Sequence, residues 1–122
     1  MPHHLRLWLL ALLLWLPQAQ AATQPEQVDL SVIAVAELPA EARNTLRAIK
    51  QGGPFAYDRD GVVFGNFERI LPKRPRGYYR EYTVKTPGAR NRGARRIVCG
   101  KPVECYYTAD HYRTFKYIQE QP

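Results

Sequence analysis

Tyr78-Tyr79-Arg80-Glu81-Tyr82-Thr83-Val84 is the most strand-like run in the chain, built almost entirely from aromatic and β-branched residues. The two-residue period of a strand puts Glu81 on one face with Tyr79 and Thr83, and Arg80, Tyr82 and Val84 on the other. A carboxylate in mid-strand is usually a solvated residue on the open side of a sheet. On the wall of a concave site rimmed by arginine, the same group becomes a general base.

Outward from this strand, the chain separates into a helical part and a β-rich part. Upstream, Pro39 suits a first helical turn, Ala42, Leu46 and Ile49 recur at helical spacing, and Gly52 is placed for a C-terminal cap. Before that helix, Ser31 to Val35 is β-branched enough for a first strand, weakened by Ala34. After Gly53-Pro54, short β-rich runs alternate with Gly, Pro and Asp: Gly61 to Phe64, Tyr78 to Lys85, Arg95 to Cys99, Cys105 to Thr108 and Arg113 to Ile118. One helix followed by several strands predicts an α+β domain with the helix covering one face of an antiparallel sheet.

Residues 1–21 read as an export signal: Arg6 supplies the positive start, Leu7 to Leu16 an apolar run, and Ala19-Gln20-Ala21 a small-residue cleavage site. The run is shorter than the roughly 20 residues a membrane span needs. The chain carries 18 basic and 11 acidic residues; removing Arg6, the leader's only charge, leaves 17 against 11, a net charge of +6. So basic a single domain favours polyanions, either nucleic acid or an anionic surface. Both cysteines, Cys99 and Cys105, lie in the exported part, where they can pair and pin one hairpin. The cysteine and histidine spacings match no metal site.

Of the three histidines, only His111 survives processing, in Asp110-His111-Tyr112 at the start of the last strand candidate. A lone histidine is most often a surface or packing residue, yet this one is placed to act as a general acid. Arg90, Arg92, Arg95 and Arg96 crowd a glycine-containing stretch, where charge clusters are commonly solvated but guanidinium forks also suit phosphate. Glu68 closes Phe64-Gly65-Asn66-Phe67-Glu68. Its functional reading is recognition of guanine, the base with two adjacent N–H donors on its Watson–Crick edge, against the plainer reading of a surface carboxylate.

The order of these segments resembles the bacterial guanyl-specific, barnase-like ribonuclease family. The resemblance runs from Leu38-Pro39 to Ile118 through Asp60-Gly61-Val62-Val63-Phe64, Phe64-x-Asn66-x-Glu68, Gly77-Tyr78-Tyr79-x-Glu81-Tyr82-Thr83-Val84, Thr86-Pro87-Gly88-Ala89-Arg90-x-Arg92-Gly93-x-Arg95-Arg96 and Asp110-His111-Tyr112-x-Thr114-Phe115. It implies a helix packed on a five-stranded antiparallel sheet, with residues 22–37 as leader and first strand and residues 38–122 as the ribonuclease domain. It also implies cleavage of RNA after guanosine through a 2′,3′-cyclic phosphate. Glu81 matches the general base, His111 the general acid, and Arg92 and Arg96 the phosphate-neutralising residues. Glu68 matches the guanine-reading carboxylate, Asn66 and the loop backbone assist it, and Phe64 and Tyr112 resemble a pair bracketing the purine.

RNA carries its own nucleophile, so this chemistry requires no metal or other cofactor, only proton transfer and charge stabilisation. From ordinary side-chain values, a carboxylate base and an imidazolium acid work together between about pH 4 and pH 7. The expected partners are the RNA substrate and a small acidic barstar-like inhibitor. The mature chain is expected to be an extracytoplasmic monomer, secreted or periplasmic, without stable membrane association.

Two features depart from the family pattern. Ala34 stands where a first cysteine would join the chain ends, and the last residue is Pro122, so the bridge is predicted between Cys99 and Cys105. Gly65 and Phe67 in the recognition loop bear on how strictly guanine is preferred. The competing readings are a non-catalytic basic module that binds nucleic acid or anionic cell-surface polymers, and a membrane-active antimicrobial protein. The first leaves Glu68 and Glu81 without a task; the second requires that dye leakage from anionic vesicles survive loss of His111.

Overall fold

A computed structural model describes residues 30–101 and 104–120; the predicted signal, 1–21, lies outside them. The elements are β1 (Ser31–Ala34), a 3₁₀ turn (Val35–Glu37), α1 (Ala40–Gln51), β2 (Val62–Val63), β3 (Arg80–Thr83), β4 (Arg96–Lys101), β5 (Glu104–Thr108) and β6 (Lys116–Gln119). They form one six-stranded sheet in the order β1-β6-β5-β4-β3-β2. The expected helix on an antiparallel sheet is present and the sheet is one strand wider than the expected five: β1 adds a sixth strand, parallel to β6, with Ser31 opposite Lys116 and Ala34 opposite Gln119. All other pairings are antiparallel. Val32 on this edge strand is 54 % exposed, so β1 joins the sheet with little apolar burial at its outer end.

The chain crosses from β1 at one sheet edge to β2 at the other by way of α1. The helix follows Pro39 and ends at Gly52, whose φ of 83° is the left-handed conformation that a glycine cap adopts without penalty. Ala42 and Leu46 are buried and Ile49 packs beside them, against Val84, Ile97, Cys99, Cys105, Tyr107 and Ile118. That is the helix face of the sheet. The opposite face buries Leu71, Tyr79, Val98, Tyr106 and Phe115 under the loops that flank β3 and β6.

Register explains what lies on this second face. Glu81 pairs with Val98 and Val98 with Tyr106; Thr83 pairs with Arg96 and Arg96 with Thr108. Directly opposed residues share a face, so the second face runs from apolar Val98 and Tyr106 to a polar row of Thr83, Arg96 and Thr108, with Glu81 beside it. The last strand starts later than its sequence pattern predicts. Asp110 accepts hydrogen bonds from the backbone N–H groups of Arg113 (3.1 Å) and Thr114 (2.9 Å), holding residues 110–114 in a turn and leaving His111 in a loop ahead of β6.

Cys99 and Cys105 form the disulfide, at directly opposed positions of β4 and β5. Both are buried in the helix-side core. Closing so short a loop stabilises by about 2 kcal/mol in the chain-entropy treatment. The Cys99→Ala/Cys105→Ala variant should therefore melt roughly 10 °C lower by circular dichroism. Activity should remain, because the bridge lies toward the turn end of the hairpin and the polar row lies at the other end.

Candidate active site

A cleft of about 410 Å³ opens on the second face, and Phe64, Asn66, Glu68, Glu81, His111 and Tyr112 all contribute to its walls. Three chain segments far apart in sequence, 63–70, Glu81 and 111–115, thus bring both glutamates and the histidine to one cavity. Arg92 lies next door: with His111 it lines an adjoining open depression of about 660 Å³. Arg96 sits beneath the cleft, 3 % exposed.

Glu81 and Arg96 are opposite charges on one sheet face, and the Tyr112 hydroxyl joins them. It accepts from Arg96 Nε at 3.1 Å and donates to Glu81 Oε1. Burial, and then the Glu81 carboxylate, push the Tyr112 phenol above its ordinary value of 10, so it remains a donor. Arg96 also donates through Nη1 to the carbonyls of Gly93 (3.0 Å) and Arg95 (2.8 Å). A buried charge with partners in several directions is held in one orientation.

Arg92 is positioned from the strand. Its Nε and Nη2 donate to Thr83 Oγ1 at 3.0 and 2.9 Å. Thr83 is fixed in turn: its N–H donates to Asp60 Oδ1 (2.7 Å), and its carbonyl accepts from Thr45 Oγ1 of α1 (3.2 Å). The helix and the 57–60 turn thereby set Arg92 without touching the cleft. His111 is held by its backbone, whose N–H donates to the Ala94 carbonyl at 3.0 Å and ties the histidine loop to the arginine loop. His111 and Tyr112 have φ of 59° and 74°, two consecutive left-handed residues without the freedom of glycine. Such strain persists only where the surroundings impose it.

Those surroundings are Asp110 and Thr108. Thr108, 1 % exposed, donates from Oγ1 to Asp110 Oδ1 (2.9 Å) and accepts from the Tyr112 N–H (3.1 Å). Thr114 Oγ1 donates to Asp110 Oδ2 at 2.6 Å. Chiefly through the Thr114 hydroxyl and amide, this set of donors pulls the Asp110 carboxyl down from 3.8 to about 2.

The residues expected to contact the base are arranged differently from expectation in two respects. Phe64 and Tyr112 stack on each other with centroids 5.4 Å apart, closer than the roughly 7 Å a ring sandwiched between them would need. They form one aromatic wall backed by Phe115, because their faces bury each other and the Tyr112 hydroxyl is committed to Glu81 and Arg96. The Asn66 side chain is likewise committed: Nδ2 donates to the Leu71 carbonyl (3.0 Å) and Oδ1 accepts from the Leu71 N–H (3.1 Å), clamping the loop on itself. Glu68 is exposed at the cleft wall and has no hydrogen-bonded partner among the described residues.

Sequence reasoning missed the positioning residues Asp60, Thr83, Thr108 and Asp110. Asp60 and Asp110 did carry a signal: each stands where a side chain can cap a turn.

A carboxylate and an imidazole lining one cleft, with arginines at one end and a free carboxylate at the other, fit cleavage of a phosphodiester beside a recognised base. The chain belongs to the microbial guanyl-specific ribonuclease family. The sequence model of a ribonuclease family matches residues 19–119. Guanyl-specific ribonuclease Sa of Kitasatospora aureofaciens is 54 % identical over 89 residues, covering 72 % of this chain and 93 % of its own. Guanyl-specific ribonuclease St of Saccharopolyspora erythraea is 52 % identical over 84 residues, covering 69 % and 83 %. The crystal structure of ribonuclease Sa2 with guanosine-2′-cyclophosphate superposes with a TM-score of 0.73 at 47 % identity, covering 77 % of this chain and all of that one.

The Asp110 turn makes a pH prediction. Because folding depresses this carboxyl, its contribution to stability is full above about pH 4 and is lost as pH falls toward 2. Melting temperature should therefore fall less steeply between pH 4 and pH 2 in Asp110→Ala than in the parent protein. Equal slopes in calorimetry would refute this assignment.

Proposed function

We propose that the mature chain is an exported, metal-independent endoribonuclease that cleaves single-stranded RNA after guanosine. Residues 1–21 serve as the signal removed on export. The observation that carries this reading is the shared cleft of Glu68, Glu81 and His111.

The scissile phosphate lies between Glu81 and His111. Glu81 takes the proton of the ribose 2′-hydroxyl as that oxygen bonds to phosphorus. The bond from phosphorus to the leaving 5′-oxygen breaks, and His111 supplies the proton this oxygen needs. The product is a 2′,3′-cyclic phosphate, which water opens to a 3′-phosphate with the two roles reversed. Arg92 and Arg96 neutralise the charge that grows on the phosphoryl oxygens, a task suited to fixed donors that need not reorganise during reaction. The Thr83 and Tyr112 hydrogen bonds support that role by holding both guanidinium groups beforehand.

Guanine enters against the Phe64–Tyr112 wall with its N1–H and N2–H directed to Glu68. The Asn66 side chain contributes by bracing the loop, whose backbone assists Glu68 in reading the base. DNA lacks the 2′-hydroxyl and is bound without being cut. The protein acts as a monomer with no stable attachment to membrane, and a small acidic barstar-like inhibitor would find charge complementarity at Arg90 and Arg92 in the depression that adjoins the cleft.

The decisive experiment is incubation of the mature protein with a guanosine-containing dinucleotide in the presence of chelator. Release of a cyclic-phosphate product supports the enzyme, whereas salt-sensitive retention alone supports a non-catalytic basic binder. Glu81→Gln and His111→Gln should each lower kcat by a factor of about 10² to 10⁴ with unchanged circular dichroism, the usual worth of a general acid or base. Glu68→Ala should lower the preference for guanosine over adenosine by at least about tenfold, since hydrogen bonds to a charged group are at stake. An unchanged ratio would remove Glu68 from base reading.

A further inference from the structure

A second groove, of about 510 Å³, lies across the recognition loop from the catalytic cleft. The two cavities share the stretch Val63 to Phe67 as a common wall. The groove is strongly basic: Arg69, Lys73, Arg74 and Arg76 line it, and no acidic residue does. Arg74 is already occupied, paired with Glu104 at 3.0 Å and lying over the Tyr78 ring. Arg69, Lys73 and Arg76 are exposed and meet no carboxylate among the described residues.

The shared wall carries the most exposed large apolar side chain among the described residues. Phe67 is 86 % exposed, and its ring lies over Gly65, where a Cβ would come within 2.5 Å of it. Glycine at 65 is thus what lets an aromatic face lie flat at the boundary between the two cavities. Cations along a groove with an aromatic face at its entrance form the arrangement that holds single-stranded nucleic acid, phosphates on the cations and a base on the ring.

We infer that the Arg69–Arg76 groove binds the RNA strand on the 5′ side of the recognised guanosine, with the preceding base stacked on Phe67. This rests on the reading of the main cleft given above. The polarity follows from the order of the cavities. The strand leaving on the 3′ side passes His111 into the depression lined by Arg92, whereas the basic groove adjoins only the base-reading end of the cleft.

The test compares kcat/KM for GpC, for ApApGpC extended on the 5′ side, and for GpCpApA extended on the 3′ side. The 5′ extension should raise kcat/KM by about tenfold or more, the worth of one stacked base. The Lys73→Ala/Arg76→Ala variant should lose most of that gain while cleaving GpC, and gaining from the 3′ extension, as the parent does. No gain from the 5′ extension, or an equal loss on GpC, would overturn the groove. If GpC is not cleaved at all, the proposed catalysis fails and the groove is judged by binding. Fluorescence anisotropy with an all-deoxy AAGCA should then show a log Kd versus log salt slope smaller by about 1.4 in the double variant, for two phosphates released. An unchanged slope, even with weakened retention on anionic phosphatidylserine vesicles, would reject an RNA-strand groove.

Discussion

The site depends on Glu81 and Arg96 sharing one sheet face, where the Tyr112 hydroxyl connects them. Arg96 is 3 % exposed and Glu81 9 %, and a buried charge without partners costs several kcal/mol. The β3–β4 register makes both tolerable by placing them on adjacent strands of one surface, two residue pairs apart along the ladder. A one-residue slip in that register would send every side chain of β3 to the opposite face. Glu81 would then enter the apolar layer beneath α1. Register is consequently fixed by the charges as well as by Val84, Ile97 and Tyr107 packing on the helix side.

From this pairing, the remaining geometry is propagated by short polar links. The Asp60 carboxylate holds both the Tyr57 N–H and the Thr83 N–H, so the turn before β2 and the end of β3 move as one piece. Thr83 passes that constraint to Arg92, and Tyr112 passes the constraint of β3 to the histidine loop. Each link joins a sheet residue to a loop residue. The loops carrying Arg92 and His111 thus gain rigidity that their own sequence does not supply, and the His111 N–H to Ala94 bond closes the circuit between them. Preorganisation of this kind is what makes charge stabilisation effective at a phosphate.

Alternation along Tyr78 to Val84 was sufficient to place Glu81 with Tyr79 and Thr83, because a strand has only two faces. The helix was equally legible, since Ala42, Leu46 and Ile49 recur with its period and Gly52 closes it. His111 was harder. Its neighbourhood looks strand-like, but the Asp110 side chain captures the amides a strand would need, and side-chain capture leaves no periodic trace. β1 was read as a strand, yet not as part of a sixth-strand pairing: its contact with β6 is made by backbone groups, which every sequence possesses. The double commitment of the Tyr112 hydroxyl could not be read either, since it depends on residues 16 and 31 positions away in sequence.

The β4–β5 hairpin shows how the fold separates holding from acting. Cys99 and Cys105 are opposed toward its turn, while Arg96 and Thr108 are opposed at the other end, beneath the cleft. A covalent link at the cleft end would have displaced the residues that carry charge there. At the turn end it shares the helix-side core with Leu46 and Ile118 and constrains two strands without entering the site. The cleft end is left to hydrogen bonds, which are individually weak and leave loops able to open locally while the core remains folded. An enzyme that must admit a polymer and release its cut ends needs that division: a sheet fixed by packing and a disulfide, and loops fixed only as firmly as the reaction requires.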